Sequence, residues 1–419
     1  MKFRLSGLLI CGAIFSASFA ASAAEVKWFI SENTPEQTVW MRQLAKTYEE
    51  SHPGTKISLQ VMSGEAYKAK LTTSLQSSDR PDLFYTWGGG VMFAQADAGL
   101  LQDISGKAKG VWNDSLSSAA VDAMTYKGKQ YGAPEHFSVV ALWYNKALFA
   151  KAGVDPKSLA TWDGLLDATK KLKAAGITPF GMGGSDKWPV SMVWDALALR
   201  IGGKQGFMDA MNRTGSGFDG PAFLKASEDF KQLTDLDPFQ KGFLGDTAPQ
   251  AEGQFGDGKV AMQVMGNWFY NIQRTQSISQ KGVPDDDLGW APFPQVAGGK
   301  GNPADVVGGV NGYLVTKSAP PEAIDFLKYY TSADVQRQAA QRGFYITVAK
   351  GTAADLKNRF YREMAEALQN AQYVQNFYDQ MLGPNTGRVV NDTTTDLAIG
   401  RIKPADVGKQ VQEAWDMDR

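Results

Sequence analysis

Residues 26–61 run VKWFISENTPEQTVWMRQLAKTYEESHPGTKISLQV. Val26 to Ile30 is a short apolar run. From Thr34 to Glu50, Trp40, Leu44 and Tyr48 recur at four-residue spacing, with Thr34 as N-cap, Pro35 in the first turn and Gln37 completing a capping-box pattern. His52-Pro53-Gly54 stops this helix, and Ile57, Leu59 and Val61 alternate as a half-buried strand. A strand enters a helix and the chain returns as a strand.

The same alternation continues outward. A helix is expected from about Glu65 to Gln76, with Leu71 and Leu75 on one face, and Leu83-Phe84-Tyr85 follows Arg80-Pro81 as a short strand. A β-α-β-α-β rhythm implies a parallel sheet with helices on both faces. Tyr126 to Tyr131 carries a hairpin signal around Lys127-Gly128, and Val139 to Tyr144 is long enough for a buried strand. The αβ rhythm then restarts: a helix capped by Thr161, a strand at Ile177 to Phe180 and an apolar helix from Pro189 to Ile201. Val260 to Val264 and Tyr313 to Val315 are further strand candidates, and the tail from Pro321 reads as mostly helical. No repeat, heptad or low-complexity linker separates the halves, so two α/β lobes joined by several ordered crossovers are expected.

Composition narrows the function. The 419 residues are enough for two to three domains, and 43% hydrophobic with 21% charged residues is the balance of a folded protein. Forty-three Lys+Arg against 44 Asp+Glu leave a net charge of −1, which gives no basic footprint for nucleic acid. The N-terminus reads as an export signal: Lys2 and Arg4, then the apolar Leu8 to Phe15, then Ala21-Ser22-Ala23 with cleavage expected after Ala23. The expected location is the periplasm. The only cysteine, Cys11, lies in that segment, so the mature chain would carry no thiol. No later run of about 18 apolar residues is present.

Catalytic and cofactor motifs are weak. With two histidines, His52 and His136, a zinc site would have to be built mainly from carboxylates, and no G-x-S-x-G elbow accompanies His136. Gly215 to Gly220 spells G-x-G-x-x-G without a preceding apolar strand, and Gly253 to Lys259 spells G-x-x-x-x-G-K with Val260 in place of the magnesium-binding hydroxyl. Asp285-Asp286-Asp287 reads as a solvated loop. No metal and no cofactor are expected. A glycoside hydrolase would need two carboxylates brought together in space, and nothing in the sequence singles out such a pair.

The aromatic residues carry more information. Trp87 precedes Gly88-Gly89-Gly90, Trp188 precedes Pro189 and Trp268 follows Gly266-Asn267, all in turns at strand ends. A sugar presents apolar C–H faces between rings of hydroxyls, so its site pairs aromatic plates with polar side chains. Glu32, Asn33, Glu135, His136, Asn267, Asn311 and Asp379 are the polar candidates.

Several strings together resemble the extracellular solute-binding proteins of the family 1 type, the sugar-capturing subunits of bacterial ABC importers. They are Ala45 to Gly54 leading into Ile57, Asp79 to Leu83 with Trp87 to Gly90, Leu142 to Lys146, Thr161-Trp162-Asp163, Gly258 to Met262, Gly308 to Gly312 and Phe326 to Ser332. The resemblance implies a periplasmic-binding-protein-like α/β fold, with two lobes, hinge crossovers and a central ligand cleft. One lobe would take residues 24–135 and 306–345, the other 136–305 and 346–419, after a signal peptide at 1–23. It implies a monomer that captures a neutral sugar or oligosaccharide and hands it unaltered to the membrane permease; the alternative is a secreted carbohydrate-active enzyme. Similar proteins use the first strand-to-helix loop, here Ser31, Glu32 and Asn33, the loop at Trp87, the aromatic Trp268, and a late segment, here Phe377 to Gln380, whose aromatic and carboxylate meet the terminal sugar. Asn267 and Asn311 stand where relatives frequently have Asp.

Overall fold

The computed structural model describes residues 24–31 and 34–418. Twelve strands are present among these: β1 (Ala24–Ser31), β2 (Thr55–Met62), β3 (Leu83–Thr86), β4 (Thr125–Tyr126), β5 (Lys129–Gln130), β6 (Gly132–Asn145), β7 (Thr178–Phe180), β8 (Val260–Gly266), β9 (Leu288–Ala291), β10 (Val306–Val315), β11 (Ile346–Thr347) and β12 (Val374–Gln375). β4 and β5 form the hairpin expected at Lys127-Gly128. The other ten form one sheet with the order β2-β1-β3-β10-β6-β8-β7, flanked by β9 and β11 on β6 and by β12 on β10.

The opening β-α-β unit forms as expected. Thr34 accepts the Gln37 N–H at 3.2 Å and starts the Pro35–Ser51 helix, which buries Trp40, Leu44 and Tyr48. β1 runs parallel to both β2 and β3. Beyond that point the sheet is mixed instead of parallel throughout: β10 is antiparallel to β3 and to β6, and β6 to β8, while β7 runs parallel to β8 and β12 to β10. The physical reason is connectivity: β6 and β10 are long crossover strands of 14 and 10 residues that leave one half of the molecule and enter the other.

Alternation along the strands gives each half a core on both faces of the sheet. In the β2-β1-β3 half, Val26, Trp28 and Ile30 pack with Leu83, Phe326 and Tyr330, while Phe29 and Phe84 join Tyr67, Met92 and Leu314 on the other face. In the β8-β7 half, Val140, Leu142 and Met262 face Trp194 and Tyr378, while Val139, Ala141 and Trp143 face Phe255, Phe269 and Phe360. The fold is thus α/β with two lobes threaded on one continuous sheet. Among the described residues no helix is long and apolar enough to cross a membrane.

Candidate functional site

The two lobes meet where β6 and β10 pair. His136 opposes Asn311 and Pro134 opposes Gly312, so Glu135 is the extra residue of a β-bulge. Bulges bend the strand that carries them and tolerate a proline that cannot donate to the ladder. Glu135 is 2% exposed, accepts a hydrogen bond from the Tyr330 hydroxyl and lies 3.0 Å from His136 Nδ1 through Oε2. The Asn311 amide is 2.9 Å from His136 Nε2 and donates to Ser138 Oγ at 3.0 Å. Both ring nitrogens of His136 thus have polar partners, Glu135 at Nδ1 and Asn311 at Nε2. Burial, then the Glu135 charge, pushes the phenols of Tyr330 and Tyr345 well above their ordinary range. These groups satisfy one another across the bend, apart from Asn311 Oδ1 and the Tyr345 hydroxyl, which are buried with no hydrogen-bond partner among the described residues.

An aromatic wall stands next to this bend. Trp268 begins the Phe269–Thr275 helix at the carboxyl end of β8, and its ring lies on Gly266. It meets Trp188, the first residue of the Trp188–Met211 helix, at 6.2 Å and 60°, and Phe377 at 6.3 Å and 64°. Such edge contacts suit ring quadrupoles and hold the plates at fixed angles. Trp188 and Trp268 are each half-buried. Asn267, in contrast, is 2% exposed, and its Oδ1 accepts the Val139 N–H at 2.9 Å, tying β8 to β6.

The other lobe supplies Trp87, at the carboxyl end of β3 and half-buried. Tyr85 stands perpendicular to it at 5.1 Å, and the Lys68 ammonium lies 5.4 Å from its ring centre. The Trp87 carbonyl accepts from Asn376 at 3.5 Å, which joins it to the Phe377 segment of the opposite lobe. Asp186, half-buried, accepts the Ala248 N–H at 2.8 Å. Burial raises its pKa, the Ala248 bond lowers it, and the charges of Glu65 and Lys68 pull in opposite directions from across the cleft. Trp87, Lys68, Asp186, Trp188, Trp268 and Phe377 therefore outline one interlobe cleft.

Asp379 follows Phe377 on this rim. Its Oδ2 accepts from Gln380 at 3.0 Å and from Asn391 at 3.4 Å. Behind it, Asp195 is 2% exposed, accepts the Tyr378 N–H at 3.2 Å, and keeps a buried Oδ1 with no partner among the described residues. Burial holds this carboxyl well above the usual carboxylate range, against the Tyr378 bond and with the Asp379 charge adding to the rise. A raised pKa means that the folded chain keeps a proton which the unfolded chain releases above about pH 4, so this group's contribution to stability falls as the pH rises. Asp195→Asn removes that dependence. The unfolding free energy of the variant should gain on the wild type as the pH is raised from 4 to 8 in denaturant titrations, and a pH-independent gap would show Asp195 to be ionised throughout.

The sequence-derived candidates thus fall into three sets. Trp87 from one lobe and Trp188, Trp268, Phe377 and Asp379 from the other come together where the lobes face each other. Glu135, His136 and Asn311 form the network at the bend, and Asn267 binds strand to strand. Glu32 and Asn33 lie outside the described residues, as does the expected signal at 1–23. Lys68, Asp186, Asn376 and Asn391 went unnoticed in the sequence; only Asp186, between a glycine-rich loop and Trp188, carried a readable signal. A separate cavity of about 100 Å³ is lined mostly by apolar side chains such as Val140, Ala196, Phe293 and Val307, with Arg200 and Asn370 as its polar members.

The sequence model of the bacterial extracellular solute-binding proteins matches residues 32–337. The chain belongs to this family. Among relatives of this solute-binding protein, an uncharacterized ABC transporter extracellular-binding protein of Pyrococcus horikoshii is 27% identical over 259 residues, covering 60% of this chain and 56% of the relative. A probable sugar-binding periplasmic protein of Mesorhizobium japonicum is 30% identical over 274 residues, covering 62% of this chain and 63% of the relative. The chain spans less than two thirds of the length of these two relatives. A solved structure from work on xylan utilization by the thermophilic bacterium Caldanaerobius polysaccharolyticus superposes with a TM-score of 0.84 at 27% identity, covering 93% of this chain and 99% of that one. For a solute-binding protein, a cleft between two lobes threaded on a bent sheet is the expected place for the solute.

Proposed function

We propose that this solute-binding protein is the periplasmic subunit of an ABC importer, a monomer that traps a neutral sugar or oligosaccharide between its lobes and delivers it unaltered to the membrane permease. The lobes are residues 24–135 with 306–345, and 136–305 with 346–419; the chain performs no catalysis and needs no cofactor or metal. The observation that carries this reading is the aromatic wall of Trp188, Trp268 and Phe377 facing Trp87 across the bend of the crossover strands. Indole plates desolvate the C–H faces of a pyranose, while Asp379 and Asn391 offer partners to its hydroxyls. The carboxyl groups of Asp186 and Asp379 around the wall disfavour an anionic guest. The sugar-binding and ABC-transporter relatives, and the neighbour from xylan utilization, support the same reading.

A panel of xylotriose, chitotriose and maltotriose tests it. A ligand selective for the folded state raises thermal stability by mass action, so at least one sugar should raise Tm and be recovered intact by chromatography. Release of reducing sugar, or no shift with any of the three, would count against it. Asp379→Asn should weaken the bound sugar by about tenfold in calorimetry, since a hydrogen bond to a charged acceptor contributes about 1.5–3 kcal/mol. An unchanged Kd would remove Asp379 from the site.

A further inference from the structure

Asp379 is gripped by two helices, each through a pair of residues one turn apart. On the Trp188–Met211 helix, Asp195 accepts the Tyr378 N–H at 3.2 Å, and Ser191, four residues earlier, donates its hydroxyl to Asn391 Oδ1 at 2.7 Å. On the Gly383–Ala398 helix, a Cβ on Gly387 would collide with the Asp379 carbonyl, and Asn391, four residues later, donates through Nδ2 to Asp379 Oδ2 at 3.4 Å. Gln380 donates to the same oxygen at 3.0 Å. Among the described residues no donor reaches Asp379 Oδ1, so that oxygen is left for a guest.

The middle of this relay has one workable orientation. The Ser191 hydroxyl carries a single proton, and two acceptors lie near it, Asn391 Oδ1 at 2.7 Å and the Trp188 carbonyl at 3.1 Å. If the proton went to Trp188, acceptor would face acceptor at one end of the Asn391 amide or the other. Given to Asn391, it turns Nδ2 toward the carboxylate and satisfies all three side chains. Ser191 is 2% exposed, so water does not compete for the proton. The neighbouring tie, from Lys187 and Arg388 to Asp392 at 2.7 Å each, lies at the surface and contributes little.

We propose that Ser191 and Asn391 are positioning residues for ligand binding: the buried hydroxyl sets the amide, and the amide holds the Asp379 carboxylate by one oxygen while the other meets a sugar hydroxyl. Ser191 lies one turn after Trp188, so the relay also fixes the spacing between an indole plate and a charged acceptor. That spacing selects among sugars by where a hydroxyl stands relative to the stacked C–H face. The second Asn391 amide proton is not used by the relay. The effect on affinity rests on the proposed sugar-binding role; the relay itself needs no ligand to be seen.

Ser191→Ala and Asn391→Leu should both fold, because alanine suits a helix interior and, without Asn391, the Ser191 hydroxyl turns to the Trp188 carbonyl. The Asn391 side-chain amide resonances, assigned by their loss in Asn391→Leu, are followed in ¹H–¹⁵N spectra of the ligand-free mature chain. Ser191→Ala and Asp379→Asn should each move them. Calorimetry with xylotriose, chitotriose and maltotriose supplies the second readout. For any sugar that binds, Asn391→Leu should weaken binding about tenfold in the wild-type chain and less than about threefold in Asp379→Asn, because the carboxylate through which the amide acts is already gone. Ser191→Ala, at a residue too buried to touch the sugar, should weaken binding by about threefold or more, and add nothing to Asn391→Leu. Resonances unmoved by both substitutions, or equal costs of Asn391→Leu in the two backgrounds, would overturn the proposal. Should no sugar bind, the sugar-binding reading fails, while the spectra still decide whether the relay exists.

Discussion

Trp268→Ala should weaken sugar binding at least about thirtyfold, the effect of losing roughly 2 kcal/mol or more at a central aromatic contact. The indole is positioned on Gly266 and between Trp188 and Phe377, so its removal takes away a stacking face and loosens two others. Because Trp268 is half-buried, the fold should lose less than the 3–5 kcal/mol typical of truncating a fully buried large aromatic. Calorimetry alongside thermal unfolding separates the two effects. Undiminished affinity would take Trp268 out of the site, and a chain that no longer unfolds cooperatively would assign it to the core.

Gly90→Ala should impair binding without harming the ligand-free fold. Gly90 lies in the first turn of the Gly89–Asp97 helix, whose Met92 belongs to the core of one lobe, and faces the 381–383 segment, whose neighbour Tyr378 belongs to the core of the other. A Cβ there would collide with the Met381 carbonyl and stand 2.8 Å from the Gly383 nitrogen. Both obstacles are backbone, so no rotamer relieves them, and the lobes must stay apart. Within its own helix, alanine is favoured over glycine by about 1 kcal/mol. The expected outcome is an unchanged or raised Tm without sugar and at least about tenfold weaker binding. Full affinity would mean that this seam takes no part in closure.

Much of the fold was legible because local rules and tertiary packing agree. Thr34, Pro35 and the Trp40, Leu44, Tyr48 stripe predict the first helix, and the bounds differ from the observed Pro35–Ser51 by about a turn at most. What stayed hidden were the crossovers. Val139 to Tyr144 announces a strand, but β6 begins at Gly132, where Gly, Ala and Pro carry little strand propensity and are held by pairing to β10. Likewise, Gly308 and Gly309 hide the first half of β10, although a Cβ on Gly308 would meet the Ser138 carbonyl across the ladder. The aromatic plates could be read from their places in turns at strand ends. Lys68 and Asn391 could not be singled out as cleft residues, because a polar side chain's role depends on which distant ring or carboxylate it meets, and no periodicity records that.

Small-angle X-ray scattering of the mature chain bears most directly on the central claim, that two lobes close on an intact sugar. With saturating amounts of whichever of xylotriose, chitotriose or maltotriose is bound, the radius of gyration should fall and the sugar should be recovered whole. A bound sugar that leaves the radius unchanged, or that returns cleaved, would contradict it.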